Sequence, residues 1–258
     1  MLYFKYIKML LRSAMEYRAS FFMGGIGQFF VAFFSFASMF LLFDRFGSIA
    51  GWSFAEAALC FAVTNAAFGI SECVGRGFDV FDRMVVSGEF DRVLLRPRGT
   101  ALQVLGSGFE LGRVGSVLQS LVVLGLAVSW LPGWSFPKAL ILGLMILSGV
   151  AVFVGIFIVG GALSFFTVEG LEAVNVVSYG GRQVASYPLT IYPKWIVRFF
   201  SFIIPFGCFN YLPLLYLTGR AGGNALLYML TPLLGLLFLV PCLLVWRFGV
   251  RHYLSTGN

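Results

Sequence analysis

The side chains with the greatest chemical capacity are crowded into one stretch. Glu72–Arg113 holds twelve of the chain's 29 charged residues (18 basic, 11 acidic) within 42 positions. Arg76, Asp79, Asp82 and Arg83 alternate there at helical spacing with Phe78, Phe81, Met84 and Val85. The run GEFDRVLLRPRG (88–99) then joins Glu89 and Asp91 to Phe90, Leu94 and Leu95. It ends on Arg92, Arg96 and Arg98 around the helix-stopping Pro97. A short amphipathic element of this kind offers ion pairs and apolar anchors to a soluble partner, because buried apolar groups carry most of an interface's energy. The alternative is a solvated loop whose arginines only fix orientation.

Reaction chemistry is harder to find. Glu169 and Glu172 lie one helical turn apart, on one face of one helix, so they cannot flank a substrate as acid and base. No GxxxxGK[ST] loop, HExxH pair or GxSxG elbow occurs. His252 stands alone, and Cys60, Cys73, Cys208 and Cys242 form no close pair, so neither a metal site nor a disulfide is expected. The chain is expected to be no enzyme and to hold no cofactor of its own.

The elements that must position these residues are dictated by where charge is missing. Ala19–Phe43, Val114–Pro137, Ala139–Val168, Phe199–Gly219 and Ala221–Trp246 contain no Asp, Glu, Lys or Arg. About 20 apolar residues cross the roughly 30 Å hydrocarbon core as a helix. A sixth run, Phe54–Ser71, is interrupted only by Glu56. With 59% hydrophobic and 11% charged residues, the expected class is an all-α, polytopic membrane protein. Spans are expected at 20–43, 54–71, 114–131, 139–165 and 225–246. Trp52, Trp130, Trp134 and Trp246 fall near span ends, where an indole keeps its N–H wet.

The net charge of +7 is topological. Lys5, Lys8, Arg12 and Arg18 precede the first span, six arginines lie between Arg76 and Arg113, and Arg247 and Arg251 follow the last. Six crossings put all of them on one side, cytoplasmic by the positive-inside rule, and leave Arg45, Lys138 and Arg220 outside. The expected contact is therefore anionic membrane lipid rather than nucleic acid. Residues 1–18 read as a helix lying on the membrane surface, with no cleaved leader.

Residues 166–219 admit two readings. Glu169, Glu172, Asn175, Arg182, Gln183 and Ser186 share one helical face opposite Leu171, Val174, Val177 and Val184. That helix either lies flat on the cytoplasmic face or crosses with its polar stripe turned to protein or water, since a lipid-facing charge is costly. Pro205 and Pro213, each removing a helix hydrogen bond, then suggest two half-helices rather than one kinked span. Gly108 and Gly112 form a small-xxx-small pair that permits close helix approach.

GEFDRVLLRPRG after the second span, YPLTIYPKW (187–195) followed by IPFGCFNYLP (204–213), and the tail VRHYLSTGN together resemble the permease subunits of type-2 ATP-binding cassette exporters. The likeness covers the whole chain, most specifically the pattern at Gly88–Pro97. It implies one transmembrane domain (1–258) with six helices and both termini inside a bacterial cytoplasmic membrane. An N-terminal elbow helix (1–18), a coupling helix within the loop 72–113 and a re-entrant hairpin (188–217) before the last helix are also implied. In that reading span five is 168–187. Asp79, Phe81, Asp82, Arg83, Glu89, Phe90, Asp91, Arg92, Leu94, Leu95 and Arg96 meet a separate ATPase that carries ATP and Mg, the apolar ones filling its groove. Asn65, Glu172, Asn175, Arg182, Asn210 and Tyr211 are candidate pathway-lining residues, and a second permease, identical or related, completes the pathway. The rival readings are an ATP-independent carrier or channel, which predicts intramembrane acids and inverted repeats, and a non-transporting assembly subunit.

Overall fold

The computed structural model describes Met9, Glu16, residues 18–167 and residues 170–254, with side chains of the last range from 174 onward. The expected elbow helix (1–18) and the last four residues of the tail lie largely outside that range. Among the described residues the chain is helical, with one isolated bridge, Ile49–Trp52, in the turn after the first helix.

Helix α1 (Arg18–Phe46) leads through that turn to α2 (Phe54–Asp79). Ser53 caps α2: the Glu56 amide donates to its hydroxyl at 3.4 Å, and the Ser53 amide donates back to Glu56 Oε2 at 2.8 Å. This capping box satisfies two orphan donors at the helix start. Ala57, Ala58, Ala62, Ala66 and Ala67 then give α2 so little bulk that its neighbours close around it, and all five are buried. α2 is the axis of the molecule.

It also runs two turns past Ser71, the end expected from the apolar run, and carries Glu72, Arg76 and Asp79 as helical residues. The helix continues because those charges find partners inside the protein, as described below. After it come α3 (Phe81–Val86), α4 (Glu89–Leu94) and α5 (Thr100–Ser107). The turn into α4 is made at Gly88, whose φ of 69° lies in the left-handed region that favours glycine.

Two long helices flank α2. In α6 (Val114–Trp130) the Trp130 ring lies 5.5 Å from Phe54 and Val117 faces Gly69, so α6 is antiparallel to α2. In α7 (Phe136–Leu163) Gly149 faces Ala67 and Gly161 faces Phe78, so α7 is parallel to it. The final pair, α11 (Ala225–Leu237) and α12 (Leu239–Arg251), follows α7 in the same direction, Gly235 meeting Ser148 and Gly249 meeting Ala162.

Between them lies α8 (Gly170–Ala185), which places Tyr179 beside Glu72 and Ala185 beside Thr64 and is therefore antiparallel to α2. Next, α9 (Lys194–Arg198) continues as a π-helical turn to Ile203, breaks at Pro205, and resumes as a second π-helical turn and α10 (Leu212–Leu217). The two limbs meet at 91°. Phe206 at the bend packs on Phe153, Asn210 touches Cys60 and Thr64, and Arg220 reaches Glu56. The second limb thus climbs back toward the end where α2 begins.

Among the described residues, five segments can cross a membrane by length and composition, or six if the bent pair counts as one. α8, only 16 residues long, is not among them.

Candidate functional site

At the basic end of the bundle, α3 and α4 are held by an aromatic cluster. Phe81 lies 5.1 Å from Phe90 and 4.9 Å from Trp246, while Phe90 lies 5.2 Å from Phe165 and 5.0 Å from Tyr253. These are edge-on or tilted contacts at ordinary aromatic spacing. The Trp246 N–H donates to Thr100 Oγ1 at 3.1 Å, which ties α12 to α5. Trp246 is thus buried, and so is Trp52 at the other end, whose N–H donates to Thr190 at 2.8 Å. Neither indole keeps the wet N–H expected from its place near a span end.

Phe81 and Phe90 are fully buried against this chain's own rings. They fix the segment to the bundle, and a partner's groove has no access to them in this arrangement. Asp79 is likewise buried and paired with Arg76. What α4 presents outward is different: Leu95, 85% exposed, with Leu94, Arg92 and Arg96 around it. Gln103 holds the turn that follows, its amide donating to the carbonyls of Val93 and Arg98 at 3.1 Å each. A cleft of about 250 Å³ opens beside this turn, lined by Met84, Glu89, Arg92, Val93, Arg96 and Gln103. Arg83 is exposed, Asp82 half-buried, and Glu89 pairs with Arg92 at 3.8 Å. Burial, and then the neighbouring Asp91 carboxylate, push the Tyr253 phenol above its usual value.

Above the aromatic cluster lies a chain of charges. Glu72 accepts from Arg113 at 3.0 Å and from the Tyr179 hydroxyl at 3.0 Å. Arg113 reaches Gln28 of α1 at 3.2 Å, and Arg76 joins Asp79 to Glu110, the latter at 2.7 Å. The network binds α1, α2, α8 and the link between α5 and α6. Such pairs hold only while every member is partnered, because a lone buried charge costs several kcal/mol. Sequence spacing does not single out Glu110, Gln28, Gln103 or Tyr179, and it gives Arg113 only a topological role. The i, i+3 spacing of Glu110 and Arg113 just before an apolar span was the available signal.

Of the six candidate pathway residues, the structure brings Asn65, Arg182 and Asn210 close to one another. Arg182 donates from two nitrogens to Asn65 Oδ1 at 2.8 and 2.7 Å, and its guanidinium lies 4.8 Å from the Phe68 centroid. Asn210 donates to Thr64 Oγ1 and the Ala185 carbonyl, each at 2.6 Å. Asn65 and Asn210 are buried and knit α2 to α8 and the bent pair. Tyr211 packs at 6.3 Å from the Trp52 ring. Asn175 is half-buried, and the side chain of Glu172 lies outside the described residues.

These features define a class: a polytopic helical membrane protein with a charged segment docked at one end of the bundle. Residues 29–257 match the family of ABC-2 family transporter proteins, and the chain belongs to that family. No curated protein and no solved structure matches it. Membrane subunits of this family generally work with an ATPase partner.

Proposed function

We propose that the chain is the permease subunit of an ATP-driven exporter, forms half of the pathway, and receives its energy through α4 from a separate ATPase. The observation that carries this reading is the contrast within one short helix. Phe90 is locked into the bundle, while Leu94, Leu95 and Arg96 project from it beside an open cleft. In this reading a force applied to Leu95 travels through Phe90 to Phe165, just past the end of α7, and to Trp246 in α12.

The topology proposed with it has six crossings. α8 is the fifth, because it lies antiparallel along α2 and its arginine is sheathed by Asn65 and Phe68 rather than turned to lipid. The bent pair is a hairpin that enters and leaves by the outer face, since Thr190 and Arg220, which bracket it, both sit at the Trp52–Glu56 end. This places Lys194 and Arg198 outside and both chain ends in the cytoplasm of a bacterial cell. A second permease, the same or related, completes the pathway. The open apolar faces of α1 and α11 meet that subunit or lipid.

The test is purification of the tagged chain from its native membrane with mass spectrometry of what co-elutes. A stoichiometric protein carrying a GxxxxGK[ST] loop is expected. Its consistent absence, with transport intact, would favour an ATP-independent carrier.

A further inference from the structure

The hairpin's first limb carries two cations that no acidic side chain pairs with among the described residues. Lys194 and Arg198 stand one helical turn apart and are exposed. None of the six ion pairs among the described residues includes either. The sequence makes local pairing impossible, because residues 173–258 contain no Asp or Glu. Of the acids at that end, Asp44 is in none of the ion pairs among the described residues, and Glu56 is already held by Arg220 at 2.7 Å and by its own cap.

The same limb is apolar beyond its charges. Its inner side is fixed, Phe200 stacking on Phe206 at 5.2 Å. Its outer side is open: Trp195 is 71% exposed, Phe202 85% and Ile203 64%. From Lys194 to Phe202 the limb covers roughly 12 Å at 1.5 Å per residue. One turn carrying Lys194, Trp195 and Arg198, followed by the bare hydrocarbon of Phe202 and Ile203, is the order of surfaces met by a phospholipid running from headgroup to tail.

We propose that this limb binds an anionic phospholipid of the outer leaflet, with Lys194 and Arg198 on the phosphate, Trp195 at the interface, and Phe202 and Ile203 along the acyl chain. The proposal rests on the topology given above, which puts the limb at the outer interface. A cation there is stabilised by an anionic headgroup, and each contributes about fivefold to association with an anionic surface. The bound lipid pins the first limb, and the hairpin tip with it, to the membrane.

The test uses the purified chain in mild detergent with an equal mixture of phosphatidylglycerol and phosphatidylcholine, the bound lipid being read by native mass spectrometry. Wild type is expected to retain phosphatidylglycerol in preference. Lys194→Gln with Arg198→Gln is expected to reduce that preference about 25-fold, while Lys138→Gln leaves it unchanged. An unchanged preference in the double variant overturns the proposal. Displacement of the lipid by glycerol phosphate would also overturn it, since the headgroup anion alone would then suffice. A Trp195→Cys chain lacking the half-exposed Cys208 separates the remaining outcomes. Labelling by an impermeant reagent from outside supports the topology whatever the lipid result, whereas labelling only from the cytoplasm removes both. A disulfide-linked dimer through position 195 would assign the face to a second copy and end the lipid reading.

Discussion

At the scale of single residues, burial separates structural from exposed members of one short motif. Phe90→Ala removes a ring that meets Phe81, Phe165 and Tyr253 within 5.2 Å. It is expected to destabilise the chain by about 3–5 kcal/mol, read as a lower thermal midpoint in detergent. Leu95→Ala, at an exposed position, is expected to leave that midpoint unchanged. The charges divide in the same way. Arg113→Gln removes the cation paired with buried Glu72, leaving it only the Tyr179 hydroxyl, and is expected to cost about 3–5 kcal/mol, whereas Arg92→Gln breaks a solvent-facing pair worth about 0–1 kcal/mol. Equal melting curves for Arg113→Gln and Arg92→Gln would show that the network contributes nothing. Sequence spacing placed Phe90, Arg92 and Leu95 on one amphipathic segment. It could not show which face turned inward, because Phe90 is buried by Phe165 and Tyr253, 75 and more residues away.

At the scale of elements, small residues decide where helices meet. A methyl group added at Gly77 would overlap the Val104 carbonyl, and one at Gly115 the Gly25 carbonyl. Gly108 packs against Gly77, but Gly112, its partner in the small-xxx-small pair, faces open space. Gly77→Val is therefore expected to detach α5 from α2 and expose the cytoplasmic segment to limited proteolysis, while Gly112→Val leaves the pattern unchanged. The break at Pro205 was legible, since two prolines eight residues apart cannot sit in one straight helix without lost hydrogen bonds. The direction of α8 was not. Its polar face fits a flat surface helix equally well until Tyr179, Arg182 and Ala185 are seen bonded along α2. Asn210→Leu, which removes the amide donating to Thr64 Oγ1 and the Ala185 carbonyl, is expected to loosen the hairpin and speed labelling of Cys208.

At the scale of the whole molecule, the account joins an exposed α4 end, a buried aromatic relay and six crossings. The class and the uncharged runs were plain in the sequence because hydrocarbon tolerates so few charges. The relay was not, because it is assembled from α3, α4, the end of α7 and α12, which only the fold brings together. A cysteine at position 91 is expected to label from the cytoplasm and one at 195 from outside. The central claim, that a separate ATPase drives this permease through α4, is tested most directly by the vanadate-sensitive ATP hydrolysis that co-purifies with the tagged chain. Leu95→Asp, which alters only an exposed side chain, is expected to remove most of that activity while insertion and melting stay as in wild type. Lys138→Gln, at the opposite end of the bundle, is expected to retain it. Full hydrolysis retained by Leu95→Asp, or no hydrolysis with the wild-type chain, would contradict the account.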